Sequence, residues 1–178
     1  MKAYRCWVVA LAGGLLTTLP AVAVESAQVQ ARWQAYELNF SYMGFTTYYS
    51  CDGLRQRMEE LLKQLGARAD VSVSVLGCAG EDISRMLMTR IKVALPVAGD
   101  ASGESFNAAP ATVTLKSMRP GDIGSGECEL LEQVRDRVLP ALQLKAQGDN
   151  LVCVPGHASA GQRTLRVQAL VAVPEAKR

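Results

Sequence analysis

Two matched pairs of cysteines constrain this chain more than any other feature. After Cys51 the apolar residues fall at Leu54, Met58, Leu61, Leu62 and Leu65, at intervals of 4, 3, 1 and 3. That spacing is one stripe of an amphipathic helix. Gly66 stops the helix from the position where a left-handed residue is favoured. Val71, Val73 and Val75 then alternate with Ser72 and Ser74, the period of a half-buried strand, and Cys78 follows. A helix of about 13 residues spans about 20 Å, and a strand of about 7 residues spans about 23 Å. A strand that folds back along the helix therefore brings Cys78 beside Cys51.

The pattern returns further on. Cys128 opens a second stripe of Leu131, Val134, Val138 and Leu142, and Cys153 lies beyond it. Cys51 maps to Cys128, Leu54 to Leu131, Leu61 to Val138 and Leu65 to Leu142, all at an offset of 77. Val93-Ala94-Leu95-Pro96 maps to Val171-Ala172-Val173-Pro174 at 78. The reading is an internal repeat of two β-α-β-β units. It favours the disulfides Cys51–Cys78 and Cys128–Cys153, each contributing about 3–4 kcal/mol in the chain-entropy model. Pro140 falls inside the second stripe and should kink that helix or end it near Leu139.

The start of the chain explains an oxidised framework. Lys2 and Arg5 precede an apolar run from Trp7 to Leu19, and Ala21-Val22-Ala23 offers a small-residue cleavage pattern. This predicts a signal peptide over 1–23 of a bacterial export type. The run is too short to span a bilayer, which takes about 20 residues. Of five cysteines, Cys6 leaves with the leader and four remain. An even number in an exported chain favours disulfides and a periplasmic or secreted location. Lys2 and Arg5 leave too, so 19 basic residues become 17, against 17 acidic ones. A chain without net charge presents no basic field to nucleic acid, and no later stretch predicts stable membrane insertion.

Residues 24–178 suit a single domain. Its halves cover about 35–96 and 110–174, joined by a loop over 97–109 that is rich in Ala, Gly, Ser, Asp and Asn. Alternation predicts strands over 35–42, 84–95 with Pro96 ending it, around 112–116 and over 165–173. The expected fold class is α+β, a two-layer α/β sandwich: one mixed sheet of about six to eight strands, two helices on one face and a right-handed parallel crossover in each half.

No catalytic constellation is legible, and nothing calls for a cofactor. His157, the single histidine, lies near Ser159 without a nucleophile-elbow pattern. Glu59, Glu60, Glu129 and Glu132 sit near Arg55, Lys63 and Arg135 and read as solvated helix faces. The functional pointer is aromatic. Phe40, Tyr42, Phe45, Tyr48 and Tyr49 crowd one strand end and the loop after it, whereas the matching turn from Pro120 to Gly126 has no aromatic. Tyr42, Phe45, Tyr48 and Tyr49 form the candidate patch for an unknown protein, peptide or small-ligand partner. An alternative is an envelope metal-handling protein of copper type, using Met86 and Met88 (with Met43 or Met118) or His157. An envelope enzyme whose site is assembled from loops is a second alternative.

Overall fold

The structure is a computed structural model, and it describes residues 27–78, 83–99, 105–117, 127–157 and 161–174. The leader expected over 1–23, Met118, the turn at 120–126 and Ser159 lie outside the described residues. The elements in chain order are β1 (Val29–Met43), α1 (Cys51–Gln64), β2 (Ser72–Leu76), β3 (Met86–Ala98), β4 (Phe106–Lys116), α2 (Cys128–Gln133), a π-helical turn (Val134–Val138), α3 (Leu139–Ala141), β5 (Lys145–Asp149) and β6 (Thr164–Ala172). The chain is α+β and sheet-dominated. Its six described strands form one sheet in the order β2-β3-β1-β4-β6-β5.

Every pairing in the sheet is antiparallel. This corrects the expected mixed sheet. β1 and β2 do run the same way, but β3 lies between them and pairs with both. A strand that returns by a hairpin into the middle removes the parallel ladder without reversing either neighbour.

Strand lengths also differ from the expected bounds. β1 begins at Val29, not near 35, and its Trp33 stacks on Phe106 at 4.6 Å between ring centroids. β3 continues through Pro96 to Ala98. The backbone carbonyl of Ala94 accepts from the Arg68 amide on the side away from β1, and Pro96, two residues on, faces that same side. β2 has ended by then, with Ser72 opposite Lys92, so the missing proline N–H costs no ladder bond. With β4 starting at Phe106, the strands take both ends of the expected 97–109 loop.

α1 buries Leu54, Met58, Leu61, Leu62 and Leu65, the stripe read from the sequence. These side chains share a core with Phe40, Ile91 and Leu95 from the first strands and Leu130, Leu131, Val138, Leu165 and Val167 from the second half. Gly66 has φ +91, donates to the Lys63 carbonyl, and is followed by a bond from Ala67 N to Leu62 O. This is the glycine helix cap with its paired closing bonds. A Cβ there would lie 2.6 Å from the Leu170 carbonyl of β6, so the cap is also the point where α1 presses on the second half.

The second helical stretch passes Pro140 instead of ending before it. The π turn bonds the Leu139 amide to the Val134 carbonyl, five residues back. One widened turn absorbs the missing proline donor, and the helix runs on to Ala141.

β1 and β4 join the halves through only three residue pairs, Val29–Ala108, Gln30–Asn107 and Ala31–Phe106. Beyond them the two strands part, and helix side chains take over their open edges. Gln133 of α2 accepts from Met43 N at 2.9 Å and donates to Met43 O at 2.8 Å, as a strand neighbour would. Arg137 donates to the Ser41 carbonyl at 3.1 Å. Arg57 of α1 donates to the Lys116 carbonyl of β4 at 2.8 Å. Disulfides close Cys51 to Cys78 and Cys128 to Cys153, with Cα atoms 6.3 and 5.7 Å apart.

Candidate functional site

The candidate site is the end of the sheet where β1 runs into α1. Its loop, residues 44–50, is held at four points. Gly44 N donates to Arg85 O at 2.7 Å and continues the β1–β3 ladder by one bond. The Tyr42 hydroxyl donates to the Thr47 carbonyl at 2.7 Å, drawing the loop across Gly44 so closely that a Cβ there would lie 1.9 Å from the Thr47 oxygen. Ser50 caps α1 by accepting from Gly53 N at 3.1 Å.

The fourth hold comes from the other half of the chain. The Glu129 carboxylate accepts from Phe45 N at 2.9 Å, Thr46 N at 3.0 Å and the Thr46 hydroxyl at 2.8 Å. Thr46 Oγ1 in turn accepts from Gly156 N at 3.0 Å. The loop wraps an anion with consecutive N–H groups, and that anion is on the first turn of α2. Glu129 is therefore buried and structural, not on a solvated face as its neighbours in sequence implied. Glu127, fully buried, holds Arg57 through a salt bridge to Nε, and Arg57 also reaches Glu60 at 3.1 Å.

These contacts divide the four aromatic candidates. Tyr42 and Tyr49 are core residues, with Tyr42 at 0% exposure and the two rings edge to face at 5.2 Å. Both are packed inside the chain, whereas the sequence reading sets them in an exposed patch. Parity explains Tyr42: it continues the inward series of Tyr36, Leu38 and Phe40. Burial pushes both hydroxyls well above the usual tyrosine range, and the negative charges of Glu129 and Glu127 add to it. The Tyr49 hydroxyl has no hydrogen-bond partner among the described residues. Phe45 (56% exposed) and Tyr48 face solvent, and the Arg85 guanidinium lies 5.1 Å from the Tyr48 ring centroid.

The exposed pair has neighbours that the aromatic count missed. On the outward face of the sheet Met43 lies opposite Met86, and Met88 lies between Ser41 and Leu76. Met43, Leu76, Met86 and Met88 are all exposed, at 44%, 44%, 60% and 54%. The corresponding end of the second half pairs Lys116 with Thr164 and sets Arg166 beside Gly148 and Thr114. On the paired strands one end of the outer face is thus apolar and the other polar, although Val152 and Val154 are exposed on the chain after β5. The period-two reading of 84–95 puts Met86 and Met88 on one side and leaves Met43 or Met118 as the third; the register sets Met43 opposite Met86.

Beside this end is a groove of about 220 Å³ between Met43, Phe45, Glu132, Gln133, Arg137 and Pro155. Burial raises the Glu132 carboxyl above its ordinary value, against the pull of Arg135. A second, polar hollow of about 310 Å³ lies between Tyr36, Arg68, Asp70 and Lys92, where Arg68 and Asp70 pair at 2.6 Å. His157 is on an exposed turn, with Nδ1 3.3 Å from its own Pro155 carbonyl. Among the described residues no group of three or more His, Cys, Asp or Glu is placed to hold a metal ion. Among the same residues no helix is long and apolar enough to cross a membrane. The two disulfides are compatible with an oxidising compartment.

Comparison with protein-family models, curated proteins and solved structures finds no match.

Proposed function

We propose that the chain is an exported, non-catalytic binding protein of the periplasm or the extracellular space, which takes hold of a protein or peptide with the loop end of its first half. The supporting observation is the one-sided outer face. Phe45, Tyr48, Met43, Met86, Met88 and Leu76 stay exposed at one end, while the paired strands of the other half carry Lys116, Thr164 and Arg166 there, with Val152 and Val154 the exposed apolar residues of that half's following loop. Large exposed apolar groups gathered in one place mark interaction surfaces, and aromatic and methionine side chains suit them. The adjoining groove, at about 220 Å³, falls below the roughly 300–1,000 Å³ of small-molecule sites, which favours a macromolecular partner. Glu129 gives the loop a fixed shape before any partner arrives, and a preordered loop loses less entropy on binding.

The scaffold behind it reads as a two-layer α/β sandwich of two related β-α-β-β halves. Three features favour that reading. The disulfides span 27 and 25 residues and start at equivalent helix positions. The strand order runs alike from either edge. Both helical stretches end in the same left-handed cap, at Gly66 and at Gln143, 77 residues apart.

A photoreactive phenylalanine at position 45, with a control at position 166, tests the function in cells that make the protein. Covalent adducts at 45 and none at 166 are expected. Equal labelling at both positions, or none at 45, would overturn the reading.

A further inference from the structure

The methionines of this chain are unevenly spent. Of the six, Met58 lies in the core, and Met43, Met86 and Met88 stand together on the outward face. The inward face of the same β3 carries Leu87, Thr89, Ile91, Val93 and Leu95, none of them methionine. Methionine suits a contact surface, but β-branched or aromatic residues fit a strand better, so three methionines here also bring sulfur to the surface. Three thioethers at one corner of one sheet are a chemical feature, not only an apolar one.

Register places them within reach of one another. Met43 and Met86 are directly opposite, which sets their Cβ atoms about 4.5–5.5 Å apart. Met86 and Met88 are two residues apart on one strand, about 6.7 Å. The diagonal from Met43 to Met88 is about 7–8 Å. Sulfurs sharing one ion at bonds of about 2.3 Å stand about 4 Å from each other. Methionine has three rotatable bonds, and all three side chains are exposed, so the sulfurs can close that difference without moving the backbone.

The donors then select the ion. Thioether sulfur is soft and uncharged, and hard divalent cations demand oxygen ligands. The register neighbours of the cluster are Ser41, Leu76 and, one row on, Asn39 and Arg90; the Glu132 carboxylate lines the groove on the Met43 side only. Soft thioether ligands choose monovalent copper. We propose that Met43, Met86 and Met88 form a three-thioether site for Cu(I), which arrives and leaves as Cu(I) with no change in either disulfide. The site depends on sulfur, whereas partner binding depends on apolar shape, and the two can fail separately.

Anaerobic titration of the disulfide-closed protein with Cu(I), held by a competing bathocuproine chelator, tests it. Methyl-¹³C-labelled methionine supplies a second readout by NMR. One ion per chain is expected, with the methyl signals of Met43, Met86 and Met88 displaced and that of Met58 unmoved. Each single Met→Leu change should weaken capture by roughly tenfold or more. The triple variant M43L/M86L/M88L should abolish it while keeping the volume and apolar character of the patch. Photo-crosslinking at position 45 in that variant should persist, which separates loss of the metal from loss of the partner. Failure of the wild-type protein to take Cu(I) from the chelator, or undiminished uptake by the triple variant, would overturn the proposal.

Discussion

Replacing Glu129 by alanine should loosen the candidate loop without touching any exposed residue of it. The carboxylate accepts three well-formed bonds, from Phe45 N, Thr46 N and the Thr46 hydroxyl, all between 2.8 and 3.0 Å. A hydrogen bond to a charged group is worth about 1.5–3 kcal/mol. The loop is only partly buried, so the freed amides recover water, and the net cost should be about 2–4 kcal/mol rather than the full sum. Glu129→Gln keeps one acceptor oxygen and should cost about half as much. Urea unfolding with disulfides closed reports the stability, using the fluorescence of Trp33, which stacks on Phe106. Amide hydrogen exchange reports the loop: protection at Phe45 and Thr46 should fall in Glu129→Ala by more than the global loss accounts for. A stability change below about 0.5 kcal/mol with unchanged exchange at those two amides would refute the claim that the second half shapes the candidate loop.

The helix caps give two opposite expectations. Gly66→Ala places a Cβ against Leu170 O at a φ of +91 and should lower stability by about 2–4 kcal/mol, whereas Gln143→Gly relieves a residue at φ 58 and should raise it by up to about 1 kcal/mol; urea midpoints decide both. Tyr42→Phe loses the bond to Thr47 O and should cost about 1 kcal/mol, while Tyr49→Phe removes a hydroxyl with no partner among the described residues and should be neutral or stabilising. Both tyrosines are harder to ionise in the folded chain than in the unfolded one. Their stability is fully present below the unfolded value of about 10, and it is lost as pH rises through that value toward the folded one, at up to about 1.4 kcal/mol per pH unit for each tyrosine. Urea midpoints taken from pH 8 to 11 should fall accordingly, and less steeply in the double phenylalanine variant; a flat profile in the parent protein would contradict the burial argument.

Local signals were the legible part of this chain. The stripe from Leu54 to Leu65, the stop at Gly66 and the alternation along β3 are short-range patterns that the backbone period enforces, and the structure buries those residues accordingly. The cysteine spacing carried further, because helix and strand lengths limit where the return strand can end. What the sequence hid depends on distant chain. β5, Lys145–Asp149, is a polar edge strand with exposed side chains and almost no apolar alternation to find. The insertion of β3 between β1 and β2 is a choice of neighbour that periodicity does not encode. Pro96 ends no strand here because β2 is too short to reach it. Glu129 resembles any acid on a helix until the loop from Gly44 arrives above it. The candidate site was partly legible for the same reason: aromatic crowding drew attention to this end of the sheet, but parity sent Tyr42 inward, and register set Met43 opposite Met86.

Peptide mapping of the non-reduced protein recovered from the cell envelope tests the central claim, a stapled exported scaffold that displays one apolar end. The account predicts a first residue of Val24, one linked pair containing Cys51 and Cys78, and another containing Cys128 and Cys153. Free thiols at these positions, a link between the halves, or a retained leader would contradict it.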